Sequence, residues 1–171
     1  MSADDLLIDI FLQPGEYFVG DSAFRIRTLL GSCVSITLWH RASQIGAMSH
    51  FLLPARPADG AANLDARYGG DAMALMLEDL QRLGINARQC EAKIFGGGNM
   101  FPNRKTQAQN VGQKNGEAAH AMLAQLGIPV VSEHLFGNGH RQIMFDVGTG
   151  DVWARQIPAK QAASGEWGDA A

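Results

Sequence analysis

The stretch FRIRTLLGSCVSITLWHRASQIGAMSHFLL, residues 24–53, decides the fold class. Phe24–Leu30 alternates roughly, with Arg25 and Arg27 on one side, as a half-buried strand does. Gly31-Ser32 interrupts that pattern just before Cys33, and Val34-Ser-Ile-Thr-Leu-Trp39 then alternates apolar and polar residues again. Arg41–Gln44 reads as a turn, and Ile45–Leu53 as the returning strand.

Working outward, Leu6–Leu12 is a short apolar stretch, and Pro14-Gly15 turns it into a strand at Glu16–Val19. Pro54 to about Gly60 is loop. Asp71–Leu83 predicts a helix with Met73, Met76, Leu77, Leu80 and Leu83 on one broad face and Gly84 as its C-terminal glycine. A second helix is expected from about Gly112 to Leu126, with Ala119, Met122, Leu123 and Leu126 inward and Gly127 as its stop. Between them Glu91–Phe95 reads as a strand entering the loop Gly96-Gly97-Gly98-Asn99, and Pro129–His134, His140–Val147 and Val152–Ile157 follow as strands. With roughly seven strands and two helices, hairpins dominate over strand–helix–strand alternation. The expectation is an α+β fold of mixed, mostly antiparallel sheets packed against two helices, rather than a doubly wound one.

A chain of 171 residues is one domain's length and can close a core without disulfides or metals. We read residues 1–171 as that domain, with a flexible tail from about Lys160, where Ala, Gly and Ser take over. Apolar residues at 46% and charged residues at 18% give an ordinary globular balance. A net charge of −3 and a pI near 5.9 argue against nucleic acid as a partner. The nearest basic run, Arg104-Lys105, is too short to bind it. The start, Met1-Ser-Ala-Asp-Asp, is acidic where a secretory signal is basic, and no long apolar run follows. The expectation is a cytoplasmic protein with no membrane insertion, whose two cysteines, Cys33 and Cys90, are free thiols.

Gly31-Ser32-Cys33 sets a thiol directly after a glycine break at the junction of two strands. Backbone N–H groups gathered there can stabilise the oxyanion of a tetrahedral intermediate, and they favour thiolate over thiol. His50 lies across the Arg41–Gln44 turn, and folding that hairpin brings it to the same end of the pair as Cys33. An imidazole so placed can take the thiol proton, the activation that cysteine hydrolases need. The residues alone leave packing roles open for Cys33 and His50, and they name no substrate. Ser32 and Ser35 flank the thiol without a reason to displace it. Cys90 has no neighbouring base in sequence and reads as inert.

The Gly96–Asn99 loop lacks both the spacing and the following Lys-Ser/Thr of a phosphate-binding loop, so we read it as running close to the active site. His134 and His140 fit no zinc spacing, and His40 and His120 have no partner in sequence. Neither a metal nor a cofactor is expected.

The segment Thr28-Leu-Leu-Gly-Ser-Cys33-Val, followed by Gly46-Ala-Met-Ser-His50-Phe-Leu-Leu-Pro54, closely resembles the chemoreceptor glutamine deamidase family, known as CheD. The likeness continues through Tyr68 and the first helix, Lys93-Ile-Phe-Gly-Gly-Gly-Asn-Met-Phe101, Asn110-Val-Gly-Gln-Lys-Asn115, Gly137-Asn138 and Thr149-Gly150. It covers about Pro14 to Ile157.

The resemblance implies a three-layer sandwich and a cysteine amidohydrolase acting on glutamine side chains of methyl-accepting chemotaxis receptors. It implies Cys33 as nucleophile and His50 as general base and acid. The family's third member is a threonine just upstream of Gly-Ser-Cys. Thr28 is the candidate, standing one residue nearer the cysteine than in the family pattern, so a loop shorter by one residue is required. Ser32, Gly97, Gly98 and Asn99 are candidates for contacting substrate or its oxyanion. Glutamyl methyl esters could form the same acyl intermediate, and a CheC-type chemotaxis phosphatase is a further implied partner. The alternative reading is a binding module for receptors or that phosphatase, with catalysis secondary.

Overall fold

A computed structural model describes residues 6–57, 63–102 and 110–158. The expected tail from Lys160 and the Arg104-Lys105 pair lie outside the described residues.

The described chain forms nine strands and two α-helices. In order they are β1 (Ile8–Phe11), β2 (Tyr17–Gly20), β3 (Phe24–Leu30), β4 (Val34–His40), β5 (Ile45–Ser49), α1 (Gly69–Arg82), β6 (Glu91–Gly96), α2 (Val111–Leu126), β7 (Val130–Leu135), β8 (His140–Asp146) and β9 (Val152–Ile157). One sheet has the order β1-β3-β8-β9, the other β2-β5-β4-β6-β7. Both are mixed. β1 runs parallel to β3 and β7 parallel to β6, and every other pairing is antiparallel. This is the expected α+β architecture, and its layers are helices, five-stranded sheet and four-stranded sheet.

Both helices pack on the five-stranded sheet, α1 on β2 and β5, α2 on β4 and β6. That interface buries Val34, Ile36, Leu38, Ala47 and Phe51 against Met73, Met76, Leu80, Ala119 and Leu123. A second core lies between the sheets, where Ile26, Leu30, Ile143 and Phe145 meet Trp39, Met48 and Phe95. Because side chains alternate along a strand, Ser35 and Thr37 of β4 face this second core. They are buried, at 0% and 2% exposure, rather than solvated as an apolar–polar alternation suggests. A strand central to one sheet and covered by another has no wet face.

The sequence reading differs at the margins. Leu6–Leu12, read only as apolar, contains the parallel edge strand β1. The returning strand β5 ends at Ser49, not Leu53, although a single bridge joins Phe51 to Val34. Leu83 and Leu126, expected inward, are 54% and 36% exposed. Leu83 is already the cap of α1 and Leu126 the last residue of α2, so both leave the buried stripe. Gly127 ends α2 at φ 70°, the left-handed cap its position predicts.

Candidate active site

Gly31-Ser32-Cys33 is the passage from β3 in one sheet to β4 in the other. Three inward positions converge on the edge of the sandwich there. Thr28 lies on β3 in phase with Ile26 and Leu30, which face the inter-sheet core. Cys33 packs against the same core in phase with Trp39, and His50 follows the inward Met48 by two residues. The β4–β5 register pairs Thr37 with Met48 and, at its far end, Val34 with Phe51. Cys33 and His50 are thus diagonal neighbours on one face, as the hairpin reading expects.

Thr28 and His50 are in direct contact. Oγ1 of Thr28 lies 2.7 Å from Nδ1 of His50 and donates its own proton, also over 2.7 Å, to the Leu12 carbonyl. That second bond assigns the tautomer. A hydroxyl has one proton, and the Leu12 carbonyl can only accept, so Thr28 must accept from Nδ1–H. Neutral His50 therefore carries its lone pair on Nε2, the nitrogen free to act as base. Thr28 thus meets His50, and Leu12, just after β1, completes a relay that the sequence did not reveal. No hydrogen bond joins the thiol to His50 among the described residues. Such bonds commonly tighten only when substrate binds.

Electrostatics set both groups neutral at rest. His50 is 1% exposed, and burial pushes its pKa down to about 4 from an ordinary 6.5. Burial also raises the half-buried Cys33 thiol. This desolvation opposes the thiolate that backbone N–H groups at the glycine break would favour.

The glycine loop supports the Cys33 segment through backbone bonds. Gly97 N–H donates to the Cys33 carbonyl and Gly98 N–H to the Gly31 carbonyl, both over 2.9 Å. Those two N–H groups, candidates for the oxyanion, are thereby engaged in supporting the loop. Asn99 is engaged as well, its N–H with Gly137 at 2.7 Å and its Oδ1 with the Phe101 N–H at 2.9 Å. By contrast, the N–H groups of Ser32 and Cys33 are the two backbone donors next to the sulfur without an acceptor among the described residues.

The other singled-out residues lie elsewhere. Cys90 is 1% exposed in the helix-side core, with its thiol pushed up to about 11 by burial. His40 contacts Ser43, and His120 pairs with Glu133 at 2.6 Å. Nδ1 of His134 accepts from the buried Arg141 at 2.8 Å. Among the described residues, no group of three or more His, Cys, Asp or Glu could hold a metal ion.

Two predictions follow from this geometry. Thr28→Val should leave the fold intact and slow amide turnover on the order of 10²-fold by releasing the His50 tautomer, whereas Thr28→Ser should stay near wild type. Steady-state kinetics on the two variants checks this, and an unaffected Thr28→Val would assign the orienting role elsewhere. The second concerns acid. Unfolded His50 binds a proton below about 6.5 and the folded residue only near 4, so stability falls as pH drops through that window. At about 1.4 kcal/mol per unit, the loss amounts to roughly 3 kcal/mol. Urea melts at stepped pH should show it in wild type but not in His50→Gln.

Comparison with known proteins identifies a family. A family profile described as CheD chemotactic sensory transduction matches residues 52–156, starting just beyond His50. A protein of Albidiferax ferrireducens, named probable chemoreceptor glutamine deamidase CheD 2, is 63% identical over 171 residues, covering 99% of each chain. Probable chemoreceptor glutamine deamidase CheD 1 of Chromobacterium violaceum is 42% identical, covering 86% of this chain and 77% of its own. Probable chemoreceptor glutamine deamidase CheD 3 of Dechloromonas aromatica is 41% identical over 89% of each. With a family profile over residues 52–156 and 63% identity across 99% of both chains, the chain belongs to the CheD chemotactic sensory transduction family.

Proposed function

We propose that this protein is a chemoreceptor glutamine deamidase, a protein-glutamine glutaminase. The observation that carries the reading is 63% identity, over essentially the whole chain, to a protein named for that activity. The bond from Thr28 to His50, on the face that Cys33 shares, supports a catalytic rather than a purely binding role.

As substrate binds, Nε2 of His50 takes the Cys33 proton while sulfur attacks the side-chain carboxamide carbon. The N–H groups of Ser32 and Cys33 receive the oxyanion. Imidazolium, favoured by its Nδ1–H bond to Thr28, then gives its proton to departing ammonia and leaves a thioester. Water, deprotonated by neutral His50, releases glutamate and restores the thiol. No metal or cofactor enters the scheme. A glutamyl methyl ester gives the same thioester with methanol as leaving group, so methylesterase activity belongs to the reading.

Each turnover adds one negative charge to a receptor of the methyl-accepting class and creates a methylatable carboxylate. We place the enzyme in the cytoplasm, where its catalytic thiol stays reduced. No helix among the described residues is long and apolar enough to cross a membrane. A CheC-type chemotaxis phosphatase completes the set of partners.

Mass spectrometry of receptor peptides tests the assignment, because each deamidation raises the mass by about one unit. Glutamine-to-glutamate conversion with stoichiometric ammonia is expected. Receptor binding by the wild type without either product would make the domain a binding module and overturn the reading.

A further inference from the structure

Asn115 has no part in the scheme above, yet it touches both of the segments that carry it. It lies on α2 and is fully buried, at 0% exposure. Its Nδ2 donates to the Ser32 carbonyl at 3.0 Å and to the Leu52 carbonyl at 2.8 Å. Ser32 precedes the nucleophile by one residue, and Leu52 follows His50 by two. The last backbone bond of the β4–β5 pair, from Phe51 N–H to the Val34 carbonyl at 3.0 Å, closes just before these carbonyls. One primary amide, with two N–H bonds, thus spans the place where strand pairing stops.

The bond to Ser32 also has a direction. A trans peptide sets its C=O and N–H on opposite sides. With the Ser32 carbonyl turned toward α2, the Cys33 N–H points away from the helices, toward the inter-sheet side on which the sulfur lies. That N–H is one of the two left without an acceptor among the described residues. Helix α2 is held in place for the task. A Cβ on Gly112 would come within 2.5 Å of the carbonyl oxygens of both Gly97 and Gly98, so the first turn of α2 sits directly against the glycine loop.

We propose that Asn115 is a positioning residue for the deamidation, orienting the Ser32–Cys33 peptide so that the Cys33 N–H serves as an oxyanion donor. The proposal rests on Cys33 being the nucleophile.

Asn115→Asp keeps the shape but replaces both donors with an oxygen that repels the two carbonyls. Loss of an oriented oxyanion donor should lower kcat for ammonia release from a receptor glutamine peptide by about 10²–10³-fold, with KM changed by less than about three-fold. Alkylation of Cys33 by iodoacetamide displaces iodide at a saturated carbon and needs no oxyanion donor. Its rate should therefore stay within about three-fold of wild type. If Asn115→Asp does not fold, Asn115→Ala, which leaves space for water at both carbonyls, takes its place.

A folded variant with near-wild-type kcat would overturn the proposal. So would a kcat and an alkylation rate that fall together, which would reduce Asn115 to general support of the fold. Cys33→Ala in the same assay separates the two levels, because wild-type ammonia release from it would overturn the parent reading instead.

Discussion

Cys33→Ala is expected to release ammonia from receptor glutamines on the order of 10⁴-fold more slowly than wild type, or below detection, while melting within a few degrees of it. The loss is large because the remaining groups have nothing to activate. His50, held neutral by burial, then faces only water, and without sulfur to attack the carboxamide carbon no tetrahedral oxyanion arises for the Ser32 and Cys33 N–H groups to receive. The fold should be almost indifferent. The thiol is half-buried, makes no hydrogen bond among the described residues, and packs as a small apolar group on the inter-sheet core. Cys33→Ser should be similarly inactive, since the much less acidic hydroxyl is a poor match for a base of such low pKa. Ammonia release within about ten-fold of wild type from a folded Cys33→Ala would remove Cys33 from the chemistry.

Gly96→Ala should damage fold and activity together. Gly96 adopts φ 109°, a conformation that costs an L-residue about 1–3 kcal/mol. A Cβ there would also sit 2.2 Å from the Cys33 carbonyl oxygen, which already accepts the Gly97 N–H. Either the β4–β6 pairing at Val34 and Gly96 gives way, or the Cys33 peptide rotates and misplaces the sulfur. We expect destabilisation of about 3 kcal/mol or more, a fall of roughly 10 °C in Tm, and at least about 10²-fold loss of turnover. Gly137→Ala is the matched control. Gly137 also has a positive φ, 75°, but a Cβ there meets nothing within 4 Å. It should cost only the backbone strain and leave turnover intact. Equal effects from the two substitutions would show that strain, not collision with the nucleophile's carbonyl, dominates at Gly96.

The β4–β5 hairpin was legible in the sequence because period-two alternation and a short turn are local signals, and pairing its strands brought His50 toward Cys33. Strand β1 was not, because Ile8-Asp9-Ile10 is too short an alternation to stand out from the apolar run around it, and its parallel partner β3 is distant in sequence. The burial of Ser35 and Thr37 escaped for a related reason. Alternation reports two faces but not whether the second is wet.

Within the site, legibility tracked sequence distance and atom type. The contact between Thr28 and His50 depends on two sheets meeting, which no local pattern encodes. The Leu12 carbonyl that fixes the imidazole tautomer is a backbone atom and leaves no mark on residue identity. Asn115 stood inside a segment whose resemblance was evident, yet its bonds to the Ser32 and Leu52 carbonyls form only once α2 docks against them. Gly97 and Gly98, expected to run close to Cys33, bond through their N–H groups to the Cys33 and Gly31 carbonyls, a pairing of backbone atoms that residue identity does not encode.

The central claim is that amide hydrolysis passes through a thioester on Cys33. Wild-type protein mixed with a glutamine-containing receptor peptide, quenched in acid before one turnover is complete and digested for mass spectrometry, tests it directly. The Cys33 peptide should appear heavier by the substrate less one ammonia, the adduct should vanish with hydroxylamine, and Cys90 should stay unmodified. Glutamate product accumulating with no adduct on Cys33 at any quench time, and forming equally in Cys33→Ala, would contradict it.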